Sequence, residues 1–171
     1  MRPASPSARL PVTILAAASF AAALLSACSG DKPSGPTASE KEAMLIGAKW
    51  MLTAHKISPA IDYDGEGKMV TDLFAQDGGC IHDDTLAFAS DHSYTVDEGK
   101  KKCDPADPQN ESGVWNLEDD GRKFTWDSEL DEEPIVFRLA GISDSKMVLT
   151  RTQVWPEDGL SHTETMTFTA R

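Results

Sequence analysis

Cys28 carries the best-defined chemistry in this chain. It closes the stretch Leu25-Ser26-Ala27-Cys28, where short side chains lead straight to a thiol. Arg2 and Arg9 make a basic start, and the run from Val12 to Leu25 holds no charge. A basic start, a short apolar run and small residues before a cleavage point are the parts of a secretion signal. The run falls short of the ~20 apolar residues that span a bilayer. The pattern predicts cleavage before Cys28 and acylation of its sulfur and of the amino group released there. Residues 1–27 then read as a lipoprotein signal peptide, and the expected location is the bacterial cell envelope. Ser29 places no acidic residue beside the lipid, which points to the outer membrane.

Two thiols remain, Cys80 and Cys103. In an oxidising compartment an isolated pair reads most simply as a disulfide. Its loop of about two dozen residues would be worth ~3 kcal/mol by chain entropy. Free thiols and metal ligation are the other readings. Cys80 has His82 nearby, but Cys103 leads into Asp104-Pro105-Ala106-Asp107-Pro108, without the second ligand at short spacing that zinc needs. His55, His82, His92 and His162 are scattered.

Other constellations are thinner. Asp62-Tyr63-Asp64-Gly65-Glu66-Gly67 opens like a calcium loop, but its twelfth position is Leu73 instead of a bidentate Glu. Asp83-Asp84 offers two carboxylates for acid–base work, yet neighbours on a strand face opposite ways. Asp127, Glu129, Asp131, Glu132 and Glu133 form an acidic run of the kind found in solvated loops. No Gly-x-Ser-x-Gly elbow, phosphate-binding glycine loop or catalytic Cys–His arrangement occurs. The expectation is a protein that is not an enzyme and uses no metal or cofactor.

Charge narrows the partners. Residues 1–27 hold two arginines and no acid, which takes the net charge from −12 for the chain to −14 for residues 28–171. Nucleic acid is excluded, because phosphate binding needs clustered Lys and Arg. Attraction to anionic lipid is excluded on the same ground, so any membrane partner is reached through the lipid on Cys28. The 144 residues after the signal suffice for one domain.

The elements come next. Residues 29–39 are polar and rich in Gly, Pro and Ser, and read as a flexible tether. Residues 40–46 suggest a short helix with Ser39 as its cap. Strands are expected at 50–57 (ended by Pro59), 84–89, 93–98, 113–118, 123–127, 135–140, 146–154 and 161–170, from alternating apolar and polar residues. A short helix is expected at 70–75. Three hairpins fix their own register. Around Pro156-Glu157-Asp158-Gly159, Leu149 should face Met166 and Arg151 should face Glu164. Around Asp119-Asp120-Gly121-Arg122, Trp115 should face Trp126; across Ser90-Asp91-His92, Phe88 should face Tyr94. Like then meets like on each face. Eight such strands predict an all-β, antiparallel up-and-down barrel, with a two-sheet sandwich as the alternative.

One string of residues adds a resemblance. Trp50 with Leu52-Thr53, Cys80-Ile81-His82-Asp83-Asp84, Phe88, Tyr94, Gly99 and Cys103, then Gly113-Val114-Trp115-Asn116-Leu117, resembles the lipocalin-like domain of small bacterial lipoproteins. The likeness runs from residue 47 to the end. It implies an eight-stranded barrel over 47–171, preceded by the lipidated tether at 28–46, and a Cys80–Cys103 bridge. It implies no reaction. One function follows for such a barrel: holding a small, partly apolar ligand at the envelope. Trp50, Phe88, Tyr94 and Trp115 would line the walls, and Arg151 with Glu164 would anchor a polar head. The alternative is a structural or accessory module with a filled interior that binds an envelope protein.

Overall fold

The computed structural model describes residues 35–128, 133–156 and 158–171. Cys28, the expected signal peptide and most of the expected tether lie outside them, as do Glu129, Asp131 and Glu132 of the acidic run. The described chain holds one helix, Ala38–Ile46 (α1), and nine strands. These are Lys49–Asp62 (β1), Met69–Asp72 (β2), Thr85–Phe88 (β3), Ser93–Asp97 (β4), Asn110–Glu118 (β5), Lys123–Ser128 (β6), Ile135–Ser143 (β7), Lys146–Val154 (β8) and Ser161–Ala170 (β9).

Eight strands close into a barrel. β3 to β9 pair in chain order, all antiparallel, and β1 completes the ring by pairing with β3 on one side and β9 on the other. The fold class is the expected all-β barrel, with β2 as an additional strand. All three hairpin registers match the expectation: Leu149 faces Met166, Arg151 faces Glu164, Trp115 faces Trp126 and Phe88 faces Tyr94. Period-2 alternation fixes them, because a slip of one residue would turn each apolar set to water.

The first half of the chain departs from expectation in three places. The helix begins at Ala38, not Glu40, and its cap is Thr37, not Ser39. Thr37 and Glu40 form a reciprocal capping box: the Glu40 carboxylate accepts from the Thr37 amide at 2.7 Å, and the Thr37 hydroxyl accepts from the Glu40 amide at 3.3 Å. Next, β1 does not end at Pro59 but runs on to Asp62 through a cis Ser58–Pro59 peptide. Proline has no amide proton to give a ladder. Pro59 falls where β1 leaves β9, whose last partner is Ser58, before Ile61 and Asp62 pair with β2. Finally, residues 69–72 form β2, where a helix was expected at 70–75. Pairing with the outer half of β1 satisfies their backbone, and the chain turns only after it, where the Leu73 and Phe74 amides donate to the His55 carbonyl.

α1 covers one end of the barrel. Leu45 is fully buried, and its carbonyl accepts from Trp50 Nε1 at 2.9 Å. Lys41 donates to the Asp120 and Gly121 carbonyls in the β5–β6 turn. The β3–β4 turn lies at this end too, with His92 3.8 Å from Glu42. The ends of β3, β4 and β5 remote from α1 therefore carry residues 84, 98 and 110–111. Two separate apolar clusters form. The larger fills the barrel around Trp50, Phe88, Trp115, Phe124, Met147 and Leu149. The smaller joins Ile57 and Ile61 of β1 to Leu73, with Val70 and Trp155 against them.

Candidate functional site

The interior divides into a packed half and an open half. Near α1, Phe88 meets Trp115 and Phe124 edge-on, with ring centres 5.4 and 5.6 Å apart, and Tyr94 meets Trp126 at 5.0 Å. Trp115 Nε1 donates to the Ser93 carbonyl at 3.0 Å. Three of the expected wall residues, Phe88, Tyr94 and Trp115, thus sit in this aromatic packing. Gly113 makes it possible. A Cβ there would lie 2.6 Å from the Tyr94 ring and 2.1 Å from the Asp127 carbonyl oxygen. The Gly-x-Trp pattern on β5 is thereby explained: the glycine gives space to a neighbouring ring, and the tryptophan fills the core.

Towards the other end lies a cavity of about 240 Å³. Its walls are Trp50, Leu52, Leu86, Val96, Trp126, Met166 and Phe168, and Ile81, Asp84, Glu98 and Glu111 stand at its edge. Strand alternation puts the acids there. Leu86 pairs with Val96, and Val96 with Glu111. Asp84 lies two residues before Leu86, and Glu98 two after Val96, so both share the inward face. Burial first, then the charges of Glu98, Asp83, Asp97 and Glu111, push the Asp84 carboxyl up to about 6. Its Oδ1 is enclosed and accepts no hydrogen bond. Asp83 faces away and does other work. Its carboxylate accepts from the Lys100 amide at 2.7 Å and lies against Gly99, at a φ of 64° where a Cβ would collide with it. The two aspartates are thus separated, as alternation requires.

The disulfide frames this end. Cys80 and Cys103 are bridged, with Cα atoms 4.9 Å apart, and tie the segment before β3 to the β4–β5 loop. Each flanks the residues that carry the cavity's acids.

Arg151 and Glu164 lie on the β8–β9 wall and form a closed cluster. Glu164 is 2% exposed. It accepts from Arg151 at 3.1 and 3.3 Å, from Gln153 at 2.8 Å, and contacts His55 Nε2 at 2.9 Å. Burial pushes its carboxyl up, but the His55 hydrogen bond and the Arg151 charge and hydrogen bond outweigh burial and hold it below its ordinary value. The Arg151 guanidinium also lies 5.6 Å from the centre of the Phe137 ring. Of the six expected ligand-lining residues, then, only Trp50 borders the 240 Å³ cavity. Asp84, Glu98, Glu111 and Trp126 border it as well. The period-2 pattern of Leu86 and Val96, extended by one step each, is the signal that could have found the first two.

Among the described residues, no cluster of three or more His, Cys, Asp or Glu is arranged to hold a metal. The acids of the calcium-like stretch cap their own turn: Asp62 accepts from the Gly67 amide and Asp64 from the Glu66 amide.

The family profile described as "Domain of unknown function (DUF5004)" matches residues 26–129, more than half of the chain. The chain belongs to the DUF5004 family. Its matched region runs from just before Cys28 to the end of β6, so β7 to β9 of this DUF5004 chain lie beyond it. No curated protein matches in sequence. Among solved structures, the chain is similar to an odorant-binding protein from bovine nasal mucosa, at 16% identity over 76% of this chain and 73% of that one, with a TM-score of 0.40. It is similar to a DUF4847 family protein from Bacteroides vulgatus, at 11% identity over 72% and 94%, with a TM-score of 0.42. Closure of the DUF5004 barrel is established by its own β1–β9 ladder.

Proposed function

We propose that the DUF5004 chain is a lipid-anchored envelope protein that holds a small, partly apolar ligand in its barrel and does not transform it. The cavity carries this reading. At about 240 Å³ it is larger than the ~150 Å³ voids that take up benzene and smaller than the ~300 Å³ at which drug-sized sites begin. Its fitting occupant is compact, on the order of ten non-hydrogen atoms. Two indoles and a phenyl ring give it the aromatic walls that such ligands use. Two of its lining residues, Trp50 and Phe168, are themselves held in the core.

A panel of monocyclic aromatic probes, neutral, cationic and anionic, titrated against the purified chain and read by tryptophan fluorescence, tests the reading. At least one should bind saturably. Leu86→Trp, which fills the cavity, should abolish that binding while the protein stays folded. If no probe binds, or if the filled variant binds as well as the original, the reading is wrong. The packed α1 half of the interior favours the second reading, an accessory module for an envelope protein, and that reading would then take its place.

The anchor is tested separately. Cys28→Ser should move the protein from the outer-membrane fraction to the soluble fraction and abolish incorporation of labelled palmitate. Unchanged fractionation would remove Cys28 from any anchoring role.

A further inference from the structure

We propose that the barrel cavity selects an organic ammonium: a compact apolar body bearing one cationic nitrogen, seated with that nitrogen between Asp84 and Glu98. The proposal rests on the ligand-binding reading above and names the class of ligand.

Asp84 and Glu98 lie just outside the last pair of the β3–β4 ladder, Thr85 with Asp97. Both stand at the edge of the cavity, near enough for the Glu98 charge to act on Asp84. Like charges placed opposite each other repel, and a fold gains nothing from such a pair by itself. Among the described residues, neither carboxylate forms an ion pair. Two of the three lysines of the adjoining loop are turned elsewhere: Lys101 donates to the Gly78 carbonyl at 2.6 Å, and Lys102 to the Asp107 carbonyl. Asp84 Oδ1 is shut off from water and has no donor. An enclosed acceptor without a partner is costly and rare in folded proteins.

The contrast within the barrel makes the point. Glu164, on β9, has Arg151, His55 and Gln153 around it and no capacity left. The barrel thus compensates one inward carboxylate completely, while Asp84 and Glu98 stand beside apolar space without a cationic partner among the described residues. A bare metal ion is not the fitting occupant, because among the described residues no three acids converge as ligands and most of the wall is hydrocarbon. An ammonium satisfies both halves of the site. Its N–H groups would meet the carboxylates at the cavity edge, and its body meets Leu86, Val96 and the Trp50 and Trp126 rings, whose faces attract cations.

Three probes of one shape test this on the full chain at neutral pH: 2-phenylethylammonium, 2-phenylethanol and 3-phenylpropanoate, titrated by calorimetry. The ammonium should bind at least tenfold more tightly than the alcohol, and the carboxylate most weakly. In Asp84→Asn and in Glu98→Gln the ammonium should lose most of that advantage while the alcohol keeps its affinity. Equal binding of ammonium and alcohol, or an advantage that survives both substitutions, would overturn the inference and leave the cavity reading standing. Failure of all three probes to bind would remove both. The ranking in the unsubstituted protein is decisive even if one variant does not fold.

Discussion

Three buried or half-buried titratable residues give this molecule an uneven response to pH. Asp84 is the clearest. Its carboxyl ionises near 6 when folded, against an ordinary 3.8, because burial and the neighbouring Glu98, Asp83, Asp97 and Glu111 charges oppose ionisation. Between those values the folded state holds a proton that the unfolded chain has released, so stability falls as pH rises through this window. Denaturant midpoints measured from pH 4 to 6 should show the fall, and Asp84→Asn should remove it. Glu164 has the reverse sign. Its depressed value adds stability above the ordinary 4.5 that is lost as pH drops through the folded pKa. Glu164→Gln leaves Arg151 beside a neutral amide and should cost about 2–4 kcal/mol at pH 7. His162 is fully buried, and both its nitrogens meet acceptors, the Pro59 carbonyl at 2.9 Å and the Asp158 carboxylate at 2.8 Å. Burial lowers its pKa, but those two partners raise it further, and the net shift is upward. Its stabilising share is complete below 6.5 and fades as pH climbs through the raised value. A stability profile of His162→Gln that still declines above pH 6.5 as steeply as the original would contradict this.

At the level of elements, alternation and turn chemistry decided what could be read. β8 and β9 have the bounds expected from sequence, because each alternates cleanly and Gly159 takes the positive φ, 69°, that their turn needs. The 69–75 segment misled. Val70, Leu73 and Phe74 are spaced three and four apart, which suits a helix, but the exposed edge of β1 captured residues 69–72 as a strand. Pro59 read as a stop because nothing local shows that β1 changes partners there. The acids at the cavity edge stayed hidden for a related reason: Asp84 sits next to Asp83 in a turn-like sequence, and only the fold separates the two. The packed half makes firm demands. Trp115→Ala should cost about 3–5 kcal/mol, since the ring is fully buried among Phe88 and Phe124. Gly113→Ala forces a methyl against the Asp127 carbonyl and the Tyr94 ring, and should lower the melting temperature despite adding only one carbon.

For the molecule as a whole, closure of the ring leaves β2 as the one described strand outside it, and that strand belongs to the smaller cluster with Ile57, Ile61, Leu73 and Trp155. The bridge between Cys80 and Cys103 pins the neighbouring loops. Replacing both cysteines by alanine should cost about 3 kcal/mol and loosen the acid-lined edge more than the aromatic half. Because the two apolar clusters share no buried residue, nothing obliges them to open together. Backbone amides of Val70 and Ile61 should therefore take up deuterium well before those of Met147 and Leu149. The barrel would then present a calm body with one restless corner, free to breathe at its β2 flank while the remaining staves stay shut.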